Sequence, residues 1–114
     1  RCTRFNIEKP NSKIFFRLCL ERYTIMRRDL ENILGEQFRF LAIETRDRLG
    51  FTQKEMGNEL HMSESSYSDI ETGRTRCGVL TATLLLNMQD EPKIFLHKVT
   101  KEFTSWYEKE MQHI

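Results

Sequence analysis

His61, Ser65, Ser66 and Asp69 lie within nine consecutive positions and are of the types that make a nucleophile, a base and an orienting carboxylate. A Ser-His-Asp site needs convergence in three dimensions, which one short helical stretch does not supply from spacing alone. Ser63 beside them is required as a helix cap. No Gly-rich phosphate loop and no His-Glu-x-x-His occurs, so the chain is expected not to be an enzyme. Metal chemistry fares no better. Cys2, Cys19 and Cys77 are odd in number, widely spaced and without a Cys-x-x-Cys pair, and with His61, His97 and His113 they make no ligand spacing. Free thiols in a reducing cytoplasm are expected, with no metal and no cofactor. What remains is non-covalent recognition by the polar side chains between Gln53 and Arg76.

Two short helices must position those side chains. Thr52 and Glu55 form a Thr-x-x-Glu capping box that opens the first, and Met56 and Leu60 fall on one face of it. Ser63 is a second N-cap only three residues after Leu60, which predicts a tight turn between the helices. Tyr67 and Ile70 supply the inner face of the second helix, and Gly73 closes it as a residue able to take positive φ. A stretch of this size with two caps, two apolar faces and one stop has the proportions of a helix-turn-helix.

The pattern resembles the Cro/repressor-type (XRE) helix-turn-helix family over residues 38–88. Gln53 stands at that family's glutamine opening the first motif helix, and Gly57 at its small residue where the two helices approach closely. Tyr67 and Ile70 occupy its core positions on the recognition helix. Glu71 and Gly73 match its Glu-x-Gly ending, and Arg46 matches an arginine one helix earlier. The resemblance implies that Arg46 and Glu71 form an ion pair joining the first helix to the recognition helix. It implies that Gln53 contacts a DNA phosphate, and that Arg74 and Arg76 lie in a loop along the DNA backbone. It further implies that the positions after the cap, Glu64 and Ser65, and the later Asp69 read bases.

Residues at the exposed N-terminal end of a recognition helix, here Glu64, Ser65 and Ser66 with Ser68 or Asp69 one turn on, reach base edges in the major groove. The family often carries Gln, Arg, Lys or Asn at its reading positions, so Glu64 and Asp69 depart from its usual choice. A carboxylate facing DNA is repelled by phosphates unless it accepts from a cytosine amino group, so Glu64 selects cytosine or rejects other sequences. Ser65 and Ser66 carry little information alone. His61 stands in the turn, where the family often has glycine, and histidine tolerates the left-handed conformation better than most residues.

Charge sharpens the question. The net charge of +1 divides into +4 over residues 1–35, −2 over residues 36–76 and −1 over the remainder. An acidic motif region argues against tight phosphate-driven binding unless its few basic residues are placed on the DNA face. The N-termini of both motif helices also offer N–H groups to phosphates.

The 114 residues suit one compact helical domain rich in Leu, Glu, Lys and Arg, with two prolines and five glycines. No apolar run is long enough to span a membrane and no signal peptide is evident, so a cytoplasmic protein is expected. An amphipathic helix is predicted over residues 36–49, with Phe38, Leu41, Ala42, Thr45 and Leu49 on its inner face and Gly50 as its stop. Residues 79–88 are apolar nearly all round, which implies burial on more than one side. Leu80 stands where the family carries a polar residue, so it is expected to face a partner or the C-terminal helix. That helix is expected to begin with Asp90 as cap and Pro92 in its first turn. Its stripe of Phe95, Val99, Phe103, Trp106 and Tyr107 packs on the same domain or on a dimer partner.

The N-terminal segment reads differently. Ile14, Phe16, Leu18 and Leu20 alternate with a strand-like period, and the first methionine is Met26. Glu21-Arg22 can be encoded as a ribosome-binding sequence just ahead of Met26, so residues 1–25 are expected to be upstream or appended sequence. The alternative is an N-terminal arm or dimerisation strand.

The expected architecture is all-α: a lambda-repressor-like helix-turn-helix domain of about five helices with an extra C-terminal helix. Residues 1–35 are the extension, 36–89 the DNA-binding domain and 90–114 the C-terminal helix. The expected function is a sequence-specific regulator of transcription, a repressor acting as a homodimer on double-stranded DNA, in the manner of mobile-element or phage regulators. The alternative is a protein-interaction module of the same fold, such as an antitoxin-like partner protein.

Overall fold

The structure, a computed structural model, describes residues 12–112, with side chains from residue 26 onward. Its elements are α1 (Ser12–Leu49), α2 (Gln53–Glu59), α3 (Glu64–Thr72), α4 (Val79–Asn87) and α5 (Pro92–Met111). Every described element is a helix, as expected. The chain falls into two units, one ending at Glu31 and one beginning at Asn32.

In the first unit the strand-like alternation of residues 14–20 proves helical, because it lies inside α1. Four apolar residues at every second position are a weak signal against neighbouring Leu, Arg and Glu, which favour helix. Arg27 and Glu31 form an exposed pair one turn apart at 3.7 Å, an arrangement worth only a few tenths of a kcal/mol, about 0.3–0.5. The expectation that residues 1–25 precede the natural start, and the readings of Cys2, Cys19 and His113, concern side chains outside the described residues.

The second unit holds the core. α1 continues through Gly35 and so does not begin at Glu36; one interior glycine costs a helix only about 1 kcal/mol, which neighbouring turns absorb. Phe38, Leu41, Ala42 and Thr45 are buried from α1, Met56 from α2 and Leu60 from its C-cap, and Tyr67 and Ile70 from α3. Thr81 and Leu85 of α4 and Phe95, Val99 and Tyr107 of α5 complete the buried set. Each fully buried large side chain stabilises the fold by about 1.5–3 kcal/mol. The Phe38 and Phe95 rings meet edge to face with centroids 4.7 Å apart, and Val99 and Phe103 join the same core, so the first part of the α5 stripe packs on its own domain. Gln89 donates to the Thr45 hydroxyl and to the Leu85 carbonyl, both at 2.9 Å, which gives the buried Thr45 hydroxyl a partner.

Three expectations need correction. Leu49 is exposed, because it is the last residue of α1 and the chain turns away at once through Gly50. Val79 and Leu80 are 86% and 67% exposed, so α4 is not buried all round: it reaches the core through Thr81 and Leu85. The cap of α5 is Glu91 rather than Asp90, with Pro92 at the start of the helix. Proline fits the first helical position and forces its predecessor out of helical geometry, so the residue directly before it becomes the boundary.

Three successive helix ends share one device. After α1, α2 and α3 a residue turns left-handed: Gly50 (φ 71°), His61 (φ 59°) and Gly73 (φ 82°). At each, the amide of the left-handed residue and that of the residue after it return to the last helical turn: Gly50 to Asp47 and Phe51 to Arg46, His61 to Asn58 and Met62 to Gly57, Gly73 to Ile70 and Arg74 to Asp69, at 2.9–3.2 Å. Phe51 and Met62 then fold back against the core.

Candidate nucleic-acid interface

The capping box at Thr52 is complete. Its hydroxyl accepts from the Glu55 amide at 3.1 Å and the Glu55 carboxylate accepts from the Thr52 amide at 2.8 Å. Ser63 caps α3 by accepting from the Ser66 amide at 3.1 Å, and its hydroxyl donates to that of Ser66 at 3.0 Å. Between the helices, a Cβ on Gly57 would stand 3.0 Å from the Met62 carbonyl oxygen and 3.2 Å from that of Ser63. This is the close approach for which a small residue was expected.

Two faces result on α3. Tyr67 and Ile70 are buried, while Glu64, Ser65 and Ser66 are exposed at its N-terminal end, with Ser65 directly opposite the buried pair. Asp69 is half-buried and pairs with the exposed Arg74 at 3.8 Å. The cation that follows the helix therefore partly offsets the carboxylate one turn inside it. Arg76 hydrogen-bonds Asn32 of α1. His61 and Ser65 are exposed, and among the described residues no hydrogen bond joins His61 to a serine or to Asp69. No group of His, Cys, Asp or Glu among the described residues could hold a metal ion.

The inner end of α3 carries a compact polar cluster. Arg46 donates through Nε to Glu71 Oε2 at 2.6 Å and through Nη2 to Oε1 at 3.2 Å. Its Nη1 donates to the Phe51 carbonyl at 3.2 Å. Gln53 Nε2 donates to Glu71 Oε1 at 3.0 Å, and the Tyr67 hydroxyl lies 2.5 Å from Oε2 and 3.2 Å from the Ala42 carbonyl. The phenol has one proton, and the closer, charged acceptor takes it. The Glu71 side chain is 9% exposed and that of Arg46 28%. Burial works against ionisation of Glu71, but the bonds from Arg46, Tyr67 and Gln53 outweigh it and hold the carboxyl below the ordinary range. Burial, then the adjacent carboxylate, pushes the Tyr67 phenol upward. Burial likewise raises the Cys77 thiol. At neutral pH the cluster thus holds a carboxylate, a guanidinium and a protonated phenol.

Residues 34–87 match a family described as a helix-turn-helix domain. This segment is a helix-turn-helix domain, of a family found in XRE-type regulators. No match was found among curated proteins or solved structures. Within the helix-turn-helix the structure brings together Arg46, Gln53 and Glu71, and it leaves Glu64, Ser65 and Ser66 open on the outer face. Gln53 spends one of its two amide hydrogens on Glu71, leaving the other for a partner. No helix among the described residues is long and apolar enough to cross a membrane.

Sequence reasoning missed two members of this arrangement. Tyr67 reads only as a core residue, although its place one turn before Glu71 was the available signal for a hydroxyl-carboxylate bond. Arg39 was not singled out. It donates to both Glu36 oxygens at 3.0 and 3.1 Å and to the Glu71 carbonyl at 3.0 Å. The Glu36-x-x-Arg39 spacing hinted at the first contact, but nothing local points to the second.

Proposed function

We propose that this protein is a sequence-specific DNA-binding regulator of transcription, a repressor that places α3 in the major groove. The observation that carries the reading is the division of α3: its inner face is buried and ion-paired to α1, while Glu64, Ser65 and Ser66 are exposed at its N-terminal end, the Ser66 hydroxyl bonded to that of the Ser63 cap. That is the end from which a recognition helix reads base edges. In this reading Glu64 accepts from a cytosine amino group, and Ser65 and Ser66 donate to or accept from neighbouring edges. Asp69, paired with Arg74, is the least available of the four readers. Gln53, Arg74 and Arg76 contact phosphates and position the helix. The protein acts as a homodimer on half-sites one helical turn apart. A cytoplasmic setting and a role in a mobile element follow from the same family reading.

Exposed Val79, Leu80, Ile94 and Leu96 favour a second reading, an interaction module of the antitoxin-like kind. Selection of duplexes from a random pool, followed by salt-dependent shift assays, separates the two. The DNA reading expects an enriched sequence whose binding weakens steeply with salt. Absence of binding even at low salt would favour the protein partner.

A further inference from the structure

Arg46 grips the side chain of Glu71, whereas Arg39 grips its backbone. The last carbonyls of a helix lack amide partners within it. At the end of α3 the Asp69 carbonyl accepts from the Arg74 and Thr75 amides and that of Ile70 from the Gly73 amide. The Glu71 carbonyl is satisfied instead by Arg39 Nη1, from α1, at 3.0 Å. Arg39 cannot swing freely. Its Nε and Nη2 are held by both oxygens of Glu36, and its guanidinium carbon lies 4.6 Å from the centre of the Phe40 ring. Its stem runs along left-handed Gly73, where a Cβ would stand 3.7 Å from Arg39 Cδ. A fixed cation at the C-terminal end of a helix is also favoured by the helix dipole.

We infer that Arg39 is a positioning residue: by holding the Glu71 carbonyl and lying against Gly73, it fixes the direction in which the chain leaves α3. The pose of the Arg74–Arg76 loop relative to Glu64 and Ser65 then depends on α1 at two points, through Arg39 at its start and through the bond of Arg76 to Asn32 at its end. Its consequence for DNA rests on the proposed function, but the positioning is a property of the free protein, so the two are separable.

The test compares the full chain with Arg39→Gln, which cannot span the gap to the carbonyl, and Arg39→Lys, which keeps the charge and one reaching donor. Amide exchange at Arg74 and Thr75 reports the exit of α3, and that at Leu60, the residue capping the end of α2, serves as the control. In Arg39→Gln, exchange at Arg74 and Thr75 is expected to quicken about tenfold, as for loss of one charge-assisted bond, with Leu60 unchanged. Preference for the selected duplex over a scrambled one of equal length should fall by about tenfold at an unchanged salt slope. Arg39→Lys should recover part of both. Unchanged exchange at Arg74 and Thr75 would overturn the inference, as would equal quickening at Leu60, which indicates only general destabilisation. A salt slope reduced by about one with exchange unchanged would make Arg39 a phosphate contact instead. If the wild-type chain prefers no duplex while Arg39→Gln still loosens the loop, the DNA reading fails and the positioning role stands.

Discussion

Replacing Arg46 with alanine removes the bidentate partner of a carboxylate whose side chain is 9% exposed. Breaking one side of a buried pair costs about 3–5 kcal/mol, because the remaining charge is left without compensation. Here Glu71 would retain Tyr67 at 2.5 Å and Gln53 at 3.0 Å, which moderates the loss. The Phe51 carbonyl would lose its 3.2 Å donor, which adds to it. The balance is a destabilisation of about 3 kcal/mol, at the lower end of that range. Glu71→Ala should cost less, since Arg46 is 28% exposed and can rehydrate and Tyr67 can turn wholly to the Ala42 carbonyl. The double variant should be less destabilised than the two losses added together, as expected of residues in direct contact. Urea unfolding of the four proteins at constant m-value measures each difference. A loss below about 1 kcal/mol for Arg46→Ala, the size of an exposed surface pair, would refute the reasoning.

Two further predictions follow from the same geometry. The carboxyl of Glu71 is held below its ordinary value of 4.5 in the folded state. Its stabilisation is therefore complete above about pH 5 and is lost as pH falls through 4.5 toward the depressed value. Glu71→Gln should remove this share of the acid sensitivity, and unfolding midpoints measured from pH 7 down to pH 3 that stay parallel in the two proteins would argue against it. Gly57→Val should destabilise by about 2–3 kcal/mol through overpacking, because even a bare Cβ there stands 3.0 Å from the Met62 carbonyl oxygen; an unchanged urea midpoint would mean that the turn yields.

The parts of this fold legible in the sequence are those whose causes are local. The capping box of Thr52 and Glu55, the Ser63 cap and the stops at Gly50 and Gly73 each act within a few residues, and each is formed as expected. The pairing of Arg46 with Glu71 spans 25 residues, and only the family resemblance brought it into view. The errors arise where a weak local signal met a stronger neighbour. The helix expected over residues 36–49 is the end of a longer one, and Asp90 suggested a cap that the geometry of Pro92 assigns to Glu91. Composition could not reveal that Val79 and Leu80 stand clear of the core while Thr81 and Leu85 do not, since Val79 and Leu80 look as buried on paper as Leu85. Arg39 was invisible because its target is a backbone carbonyl, and every residue has one.

The two-faced character of α3 bears on how such a protein can change over time. Tyr67, Ile70 and Glu71 are committed to the fold, whereas Glu64 and Ser65 are exposed and, among the described residues, bond to no other side chain. Substitutions at those two outward positions leave every buried contact intact. If these positions read DNA as proposed, a lineage can try new targets one codon at a time without passing through an unfolded intermediate, and its preferences drift faster than its architecture.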